Sequence, residues 1–398
     1  KELVSSEEIA ELKTQVEPFK LIGLKHQNLK KASKKIKKEK RPSETVEKQV
    51  DIEGVLAKAT FVHLHNHSQF SVLQATSRVS QLVEATVQHQ MPAIALTDHA
   101  NLMGAFHFIK AINAHNKDAE QKIKPIVGCE FYVCEDHLDK TRRDDGYQIV
   151  FIAKSKKGYH NLAKLTSAAY VSGFYYFPRI DRKLVEQFKE ELIVLTGNTY
   201  GEVPSKILNI GDRQAEEALG WWHKQFGNDL YIELMRHGEE GEDRANEVLI
   251  QFSKKHNIPL IATNNTYYTH KEEANAHDIL LCVKEGEKQA TPIGRGRGFR
   301  YGFPNQEYYF KSQEEMKALF QDLPEAILNI EDLVAKITPF ELARDVLLPK
   351  FEIPKEFQQD QGEEDKEGEN KYLHFLTYKG AKERYPELTN EIKERIDF

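Results

Sequence analysis

From Phe61 onward the chain alternates short apolar runs with amphipathic stretches. Runs at 61–64, 93–96, 125–127, 149–153, 192–195, 230–234 and 260–262 have the length and apolar content of buried strands. Between them, Val79, Leu82, Val83 and Val87 recur at helical spacing, as do Ala245, Val248, Leu249 and Phe252. Strands separated by helical crossovers predict a parallel α/β architecture, either a barrel or an open sheet. Two stretches break the rhythm. Residues 294–303, GRGRGFRYGF, mix glycine, arginine and aromatic residues and predict a loop. Residues 354–371 are acidic and predict a flexible connection, after which 372–396 reads as helix again.

Residues 1–58 have a different character. Between 25 and 41 there are nine basic residues and one acid, Glu39. Such a run reads as a solvated linker or as an arm that attracts phosphates. The chain as a whole carries 56 Lys+Arg against 62 Asp+Glu, a net charge of −6, so any nucleic-acid contact would have to be local. In the loop, Arg295, Arg297 and Arg300 supply charge beside Phe299, Tyr301 and Phe303, the composition of a single-strand binding segment. At 40% hydrophobic and 10% aromatic residues the chain can bury a sizeable core. No run of 18 apolar residues reads as a membrane span. Cys129, Cys134 and Cys282 miss the spacing of zinc or redox pairs, and the expected setting is a reducing cytoplasm. A start at Lys1 and a stop at Phe398 inside a helical pattern predict a piece of a longer protein.

Histidine changes the picture most. Of 16 histidines, six (His63, His65, His67, His89, His99 and His107) fall within 45 residues. His63, His65 and His67 alternate, and on a strand such residues share a face at steps of roughly 7 Å. Two imidazoles so placed can converge on one ion. Thr97-Asp98-His99 ends the second apolar run and Glu130 ends the third. In barrels the strand ends gather on one rim, so His65, His67, Asp98, His99 and Glu130 converge as the ligand set of a multinuclear zinc or manganese hydrolase. Alone, Asp98 reads as a helix N-cap. Arg236-His237, after the sixth run, faces this site or pairs with Glu233. Trp221-Trp222 packs a helix against the core. No phosphate-binding P-loop and no Gly-x-Ser-x-Gly nucleophile elbow is present.

The stretches HLHNHSQFS, ALTDHANLMGAF and PIVGCEFYV resemble the first three motifs of a PHP (polymerase and histidinol phosphatase) domain. More closely, they resemble the version in the alpha subunits of bacterial DNA polymerase III, the C-family of replicative polymerases. GYHNLAKLTSAAY, FYYFPRID, PLIATNNTYYTHKEEANAHDILLCV and EYYFKSQEEMKALFQDLPEAILN extend the likeness. LPKFEIP and YLHFLTYKGAKERY resemble the approach to the polymerase palm.

That resemblance implies a distorted (β/α)7 barrel with up to three metals. The first would take His65, His67, Glu130 and the position of Asn265. The second would share Glu130 and use the positions of Gln148 and Asn198. The third would take His99, the position of Tyr267 and that of Gln74, where relatives often carry Asp. Asn and Gln offer a neutral carbonyl where an anion or imidazole is expected, so the second and third sites look degenerate. The implied organisation is a basic linker over 1–58, the PHP domain over 59–285, and a connecting segment leading into the palm over 286–398. The implied function is that of a scaffold within a DNA-replicating nucleotidyltransferase. It would hold one divalent metal, zinc or manganese, while the polymerase aspartates and their Mg²⁺ lie beyond Phe398. DNA, a proofreading exonuclease and a sliding clamp would be the partners of the intact protein. The alternatives are an active metal-dependent 3′–5′ exonuclease on the same histidines, a phosphatase of the histidinol-phosphate type, and a nucleic-acid-binding module built on the arm and the arginine loop.

Overall fold

The computed structural model describes residues 52–294, 296–343, 351–358 and 366–398. The basic run at 25–41 and Arg295 lie outside the described residues. Two compact units are present, one ending at Leu342 and one starting at Ala343.

In the first unit, helix α1 (Ile52–Lys58) precedes an extended segment at 61–67. There follow α2 (Val79–Gln88), β1 (Ala93–Leu96), α3 (Ala105–Asp118), β2 (Lys124–Cys134), β3 (Tyr147–Ala153) and α4 (Lys156–Val171). A small hairpin, β4 (Phe174–Tyr175) and β5 (Phe177–Asp181), leads to α5 (Arg182–Phe188), β6 (Leu192–Leu195), α6 (Glu202–Asn209) and α7 (Asp212–Phe226). The unit continues with β7 (Leu230–Leu234), α8 (Glu242–His256), β8 (Leu260–Ala262), α9 (Ala274–Glu285), α10 (Gln313–Leu319) and α11 (Glu325–Ala335).

The strands curl in the order β1, β2, β3, β6, β7, β8, with β5 added at the far end of β2. The segment 61–67 fills the gap between the first and last of these. On one side the Ala95 N–H donates to the His63 carbonyl and the Thr97 N–H to the Asn66 carbonyl, each at 2.9 Å. On the other, the His67 N–H donates to the Thr266 carbonyl at 2.9 Å, and the Thr266 N–H to the His65 carbonyl at 3.2 Å. Six strands and this segment form the distorted seven-membered barrel.

The sheet is not all parallel. β3 runs antiparallel to both β2 and β6. Residues 135–146, between β2 and β3, contain no helix, so the chain reverses without the crossover that a parallel pair needs. The expected helical faces are also adjusted. Val79, Leu82 and Val83 are buried, but Val87 is 40% exposed and Thr86 takes the inward position. In α8, Ala245, Val248, Leu249 and Phe252 are all buried. Glu242 and Asp243 in its first turn and Lys254, Lys255 and His256 in its last complement the helix dipole, and Asn257 closes it at φ 52°.

Residues beyond 285 complete the same core. Phe310, Met316, Phe320, Ile327, Ile330 and Leu333 are buried among the barrel's apolar residues. The Asn329 amide donates to the Leu260 carbonyl at 2.8 Å, and Lys124 Nζ reaches the carbonyls of Val334 and Ile337 at 3.0 Å each. Trp222 is buried and its indole N–H donates to Glu202 at 2.8 Å, whereas Trp221 packs at the margin.

The second unit holds α12 (Lys366–Arg384) and α13 (Asn390–Asp397). The helix expected over 372–396 is therefore broken. Pro386 disfavours helical geometry at Tyr385, and Thr389 then caps the new helix by accepting from the Ile392 N–H. Among the described residues no helix is long and apolar enough to cross a membrane.

Candidate metal centre

Glu130 lies within β2, where its N–H donates to the Asp98 carbonyl at 3.1 Å and its carbonyl accepts from the Ala100 N–H at 2.8 Å. These bonds bring its side chain under the closing segment. Glu130 Oε1 is 3.4 Å from His65 Nε2, and Oε2 is 3.5 Å from His67 Nε2 and 2.8 Å from His99 Nδ1. His65, His67 and Glu130 are fully buried, and their ligating atoms all lie within 4.8 Å of one another. His65 Nε2 and both Glu130 oxygens receive no hydrogen bond of normal geometry. Buried polar atoms are ordinarily satisfied, so three convergent unsatisfied atoms of these types fit a divalent cation.

The orientation of His65 is fixed from behind. Its Nδ1 lies 2.8 Å from Glu233 Oε1, which also accepts from the Thr263 hydroxyl at 2.6 Å. Glu233 Oε2 accepts from the Gly197 N–H at 3.0 Å. Burial opposes charge on His65, but the carboxylates of Glu233 and Glu130 outweigh it and push the imidazole up to about 10, so the ring carries a proton on each nitrogen. Because Glu233 holds Nδ1–H, the proton that an ion would displace is the one on Nε2, facing Glu130, which leaves the tautomer a metal requires. Glu130 is held well below the usual carboxylate range, because His99 and His65 overcome the cost of its burial. His67 is held neutral by burial and by its imidazole neighbours, the form in which it can ligate.

The other positions have found partners within the protein. Asn265 Oδ1 sits 2.9 Å from His67 Nε2. The Tyr267 hydroxyl sits 3.1 Å from His99 Nε2, and burial keeps that hydroxyl protonated. The Asn198 amide donates to Gln148 Oε1 at 2.9 Å. The Gln74 side chain bonds the Tyr132 hydroxyl, while its main-chain carbonyl accepts from His277 Nε2 at 2.8 Å. Asp98 does not join the cluster. It accepts from the Ser68 N–H and hydroxyl at 2.6 and 2.8 Å and from the Ser71 hydroxyl at 2.7 Å, which ties the 68–71 turn to β1.

Three of the six clustered histidines lie elsewhere. His63 Nε2 donates to the Lys311 carbonyl at 2.8 Å and its ring packs on Phe310, deeper in the barrel, as the step along an extended chain requires. His107 stacks on Phe70 and His89 on Phe310. Neither Arg236 nor His237 pairs with Glu233: Arg236 binds Asp322, with one pair of atoms at 2.9 Å, and His237 binds Glu242 at 2.8 Å. In the arginine loop, Arg300 is buried, holds Asp278 in a two-pronged pair at 2.7 and 2.9 Å and donates to the Thr291 carbonyl at 2.9 Å. Its charge is committed inside the protein, and Arg297 remains exposed.

Glu233 is the residue that sequence reasoning passed over. The signal was present: it is the single acid in the apolar run LYIEL, and a carboxylate buried in a strand needs a partner. A second grouping, Asp136, His137 and Asp181, is taken up by bonds within the protein. Asp181 Oδ2 already accepts from His137 Nδ1 at 2.6 Å and Oδ1 caps α5 at the Leu184 N–H.

Residues 63–237 match the family model described as PHP domain. The DNA polymerase III subunit alpha of Borreliella burgdorferi is 38% identical over 346 residues, covering 86% of this chain. Those of Treponema pallidum and Thermus aquaticus are 35% and 36% identical, over 86% and 84% of the chain. The chain spans only 27–28% of the length of these relatives. The motif-bearing barrel and the matches agree: residues 63–237 are a PHP domain, and the chain over most of its length is similar to DNA polymerase III alpha subunits.

Proposed function

We propose that this chain is the PHP-containing portion of a replicative DNA polymerase alpha subunit, and that its barrel serves replication as a metal-stabilised scaffold without nuclease activity. One observation carries this reading. The positions that would complete a second and third ion bond to the protein instead: Asn198 to Gln148 and Tyr267 to His99. A phosphodiester displacement of the two-metal kind needs a pair of close ions to stabilise the attacking and leaving oxygens. One ion, zinc or manganese, would be held by His65, His67 and Glu130, where it would supply Lewis acidity and tie the closing segment to β2.

In this role Glu233 keeps His65 in its ligating tautomer, and the buried ring of His67 excludes water. Nucleotide transfer, with its own Mg²⁺, belongs to the intact protein, as do DNA, an associated proofreading exonuclease and a sliding clamp as partners. The test is metal content per chain alongside 3′-end degradation of labelled DNA. About one ion per chain and background degradation are expected. Three ions and a degradation rate lost in His67→Ala would establish the exonuclease reading instead.

A further inference from the structure

The outer face of α4 carries a pattern that the metal centre does not use. Gly158, Asn161, Leu162, Leu165 and Ala169 turn inward and are buried. Lys157, His160, Lys164, Ser167 and Val171 follow one another at steps of three and four and are exposed, so they form one outward stripe. Lys156, also exposed, stands beside its start. At its end Val171 is 85% exposed, and Tyr170 stacks on Phe174 of β4 at 6.3 Å, the two rings 47% and 49% exposed. The stripe is thus cationic over its first half and apolar over its second.

Most of this charge is uncompensated. The 27 residues 154–180 contain no Asp or Glu, where the chain's average of 62 acids in 398 residues would place about four. Lys157 reaches Glu190 at 2.5 Å, but Lys156 and Lys164 form no ion pair among the described residues. The first turn of α4 has no acid to complement the helix dipole. Exposed apolar side chains next to unpaired cations select an occupant that is acidic at one end and apolar at the other. A nucleic-acid strand would meet the lysines but leave the aliphatic Val171 uncovered, so a peptide fits better.

The chain itself holds such a sequence. Residues 2–19 lie outside the described residues, and they carry five acids, Glu2, Glu7, Glu8, Glu11 and Glu17, against one base, Lys13. Ile9, Leu12, Val16 and Phe19 recur there at steps of three and four. The order matches as well: Glu7, Glu8 and Glu11 precede Val16 and Phe19 just as Lys156, Lys157 and Lys164 precede Val171 and Phe174. The 32 residues between Phe19 and Ile52 can span up to about 100 Å, about twice the width of a barrel of this size. We propose that residues 2–19 dock on the outer face of α4, their acids on its lysines and their apolar residues on Tyr170, Val171 and Phe174. No ligand position of the metal centre lies on α4 or β4, so the proposal is independent of that centre.

The test is zero-length carbodiimide coupling of the full chain, which joins a carboxylate to an amine only where the two touch, with the joined sites mapped by peptide mass. Lys157–Glu190 and Lys154–Asp229, at 2.5 and 2.8 Å, couple in any outcome and serve as internal standards. The expected result is coupling of Glu7, Glu8 or Glu11 to Lys156 or Lys164, within one copy when ¹⁵N-labelled and unlabelled protein are mixed. Lys156→Glu with Lys164→Glu, both at exposed positions, should lower that yield at least about tenfold and leave the standards unchanged. Adding Glu8→Lys and Glu11→Lys to that variant should restore coupling with the charges exchanged. Coupling only to the basic residues at 25–41, coupling only between copies, or none at all overturns the proposal. So does protection of Lys156 and Lys164 from acetylation by added single-stranded DNA rather than by residues 2–19.

Discussion

Glu233 and His65 meet at 2.8 Å across 168 residues of sequence, and both are fully buried. The carboxylate selects which nitrogen of the ring faces Glu130. Replacing it with the isosteric amide removes the charge that favours Nδ1–H while keeping the shape. Glu233→Gln should therefore weaken metal affinity by roughly 10–100-fold. Competition with a chromophoric chelator measures this, and an unchanged affinity would show that His65 needs no such partner.

Removing a ligand and restoring the lost ones should act in opposite directions. His67→Ala is expected to lose the bound ion and leave 3′-end degradation at background. Gln148→His, Asn198→His, Asn265→Asp and Tyr267→His together should raise metal content above one per chain, because they convert amides and a phenol into stronger ligands. Elemental analysis of purified variants decides both. A quadruple variant that still holds one ion would place the limitation in the barrel's geometry.

The centre and the barrel were unequally legible in the sequence. His65 and His67 could be read because they alternate just past the first apolar run, and Glu130 because it ends the third, where a barrel gathers its chemistry. Asp98 could not be separated from them, since a ligand and a turn-tying carboxylate look alike until Ser68 and Ser71 are placed. Arg300 was misread for a similar reason: a Gly- and Arg-rich loop announces exposed charge, and only the fold reveals Asp278 beneath it. The reversal of β3 was hidden in the absence of a helix at 135–146, which a list of strands does not register.

Acid should destabilise the protein through buried neutral histidines. Burial lowers His63 to about 3 and His277 to about 4, against an ordinary value of 6.5. Both folded values are depressed, so between pH 6.5 and 4 the unfolded chain takes up protons that the folded chain refuses. Their contribution is complete above pH 6.5 and is lost as pH falls, at up to about 1.4 kcal/mol per pH unit for each group. His65, raised to about 10, acts oppositely and loses its contribution as pH climbs from 6.5 towards 10. Urea unfolding at pH 7 and pH 5 should show the acid loss, and His277→Gln should reduce it. Equal losses in variant and wild type would remove His277 from the account.

At Gly197 a side chain has no room. Its φ is +83°, and an added Cβ would stand 2.2 Å from the Gln148 carbonyl oxygen, a backbone atom. The same residue's N–H bonds Glu233. Gly197→Ala should cost more than about 2 kcal/mol and weaken metal binding as well. Denaturant midpoints and metal content check the two effects separately. A variant with wild-type stability would show that the β6 end can shift freely.

The two described arginines of the loop should part company. Arg300→Ala removes the cation paired with Asp278, leaving it the Gln289 amide, and should lower stability by about 2 kcal/mol, with little effect on the salt dependence of DNA binding. Arg297→Ala should leave the melting temperature within about 1 °C, as surface changes usually do. A reversed pattern would make Arg300 the contact residue.

The barrel is shut by one short segment bonded to Thr266 and Asn265, the His67–Asn265 bond spanning 198 residues of chain. The ligands need no such span: His65, His67 and Glu130 fall within residues 65–130, on a segment and a strand joined through β1. Contacts of the larger separation are entropically late, so closure of the ring follows the pairing that brings the ligands together. A nascent chain that has not yet synthesised residue 266 already carries the whole ligand set, and capture of the metal reports the first part of the barrel rather than its closure.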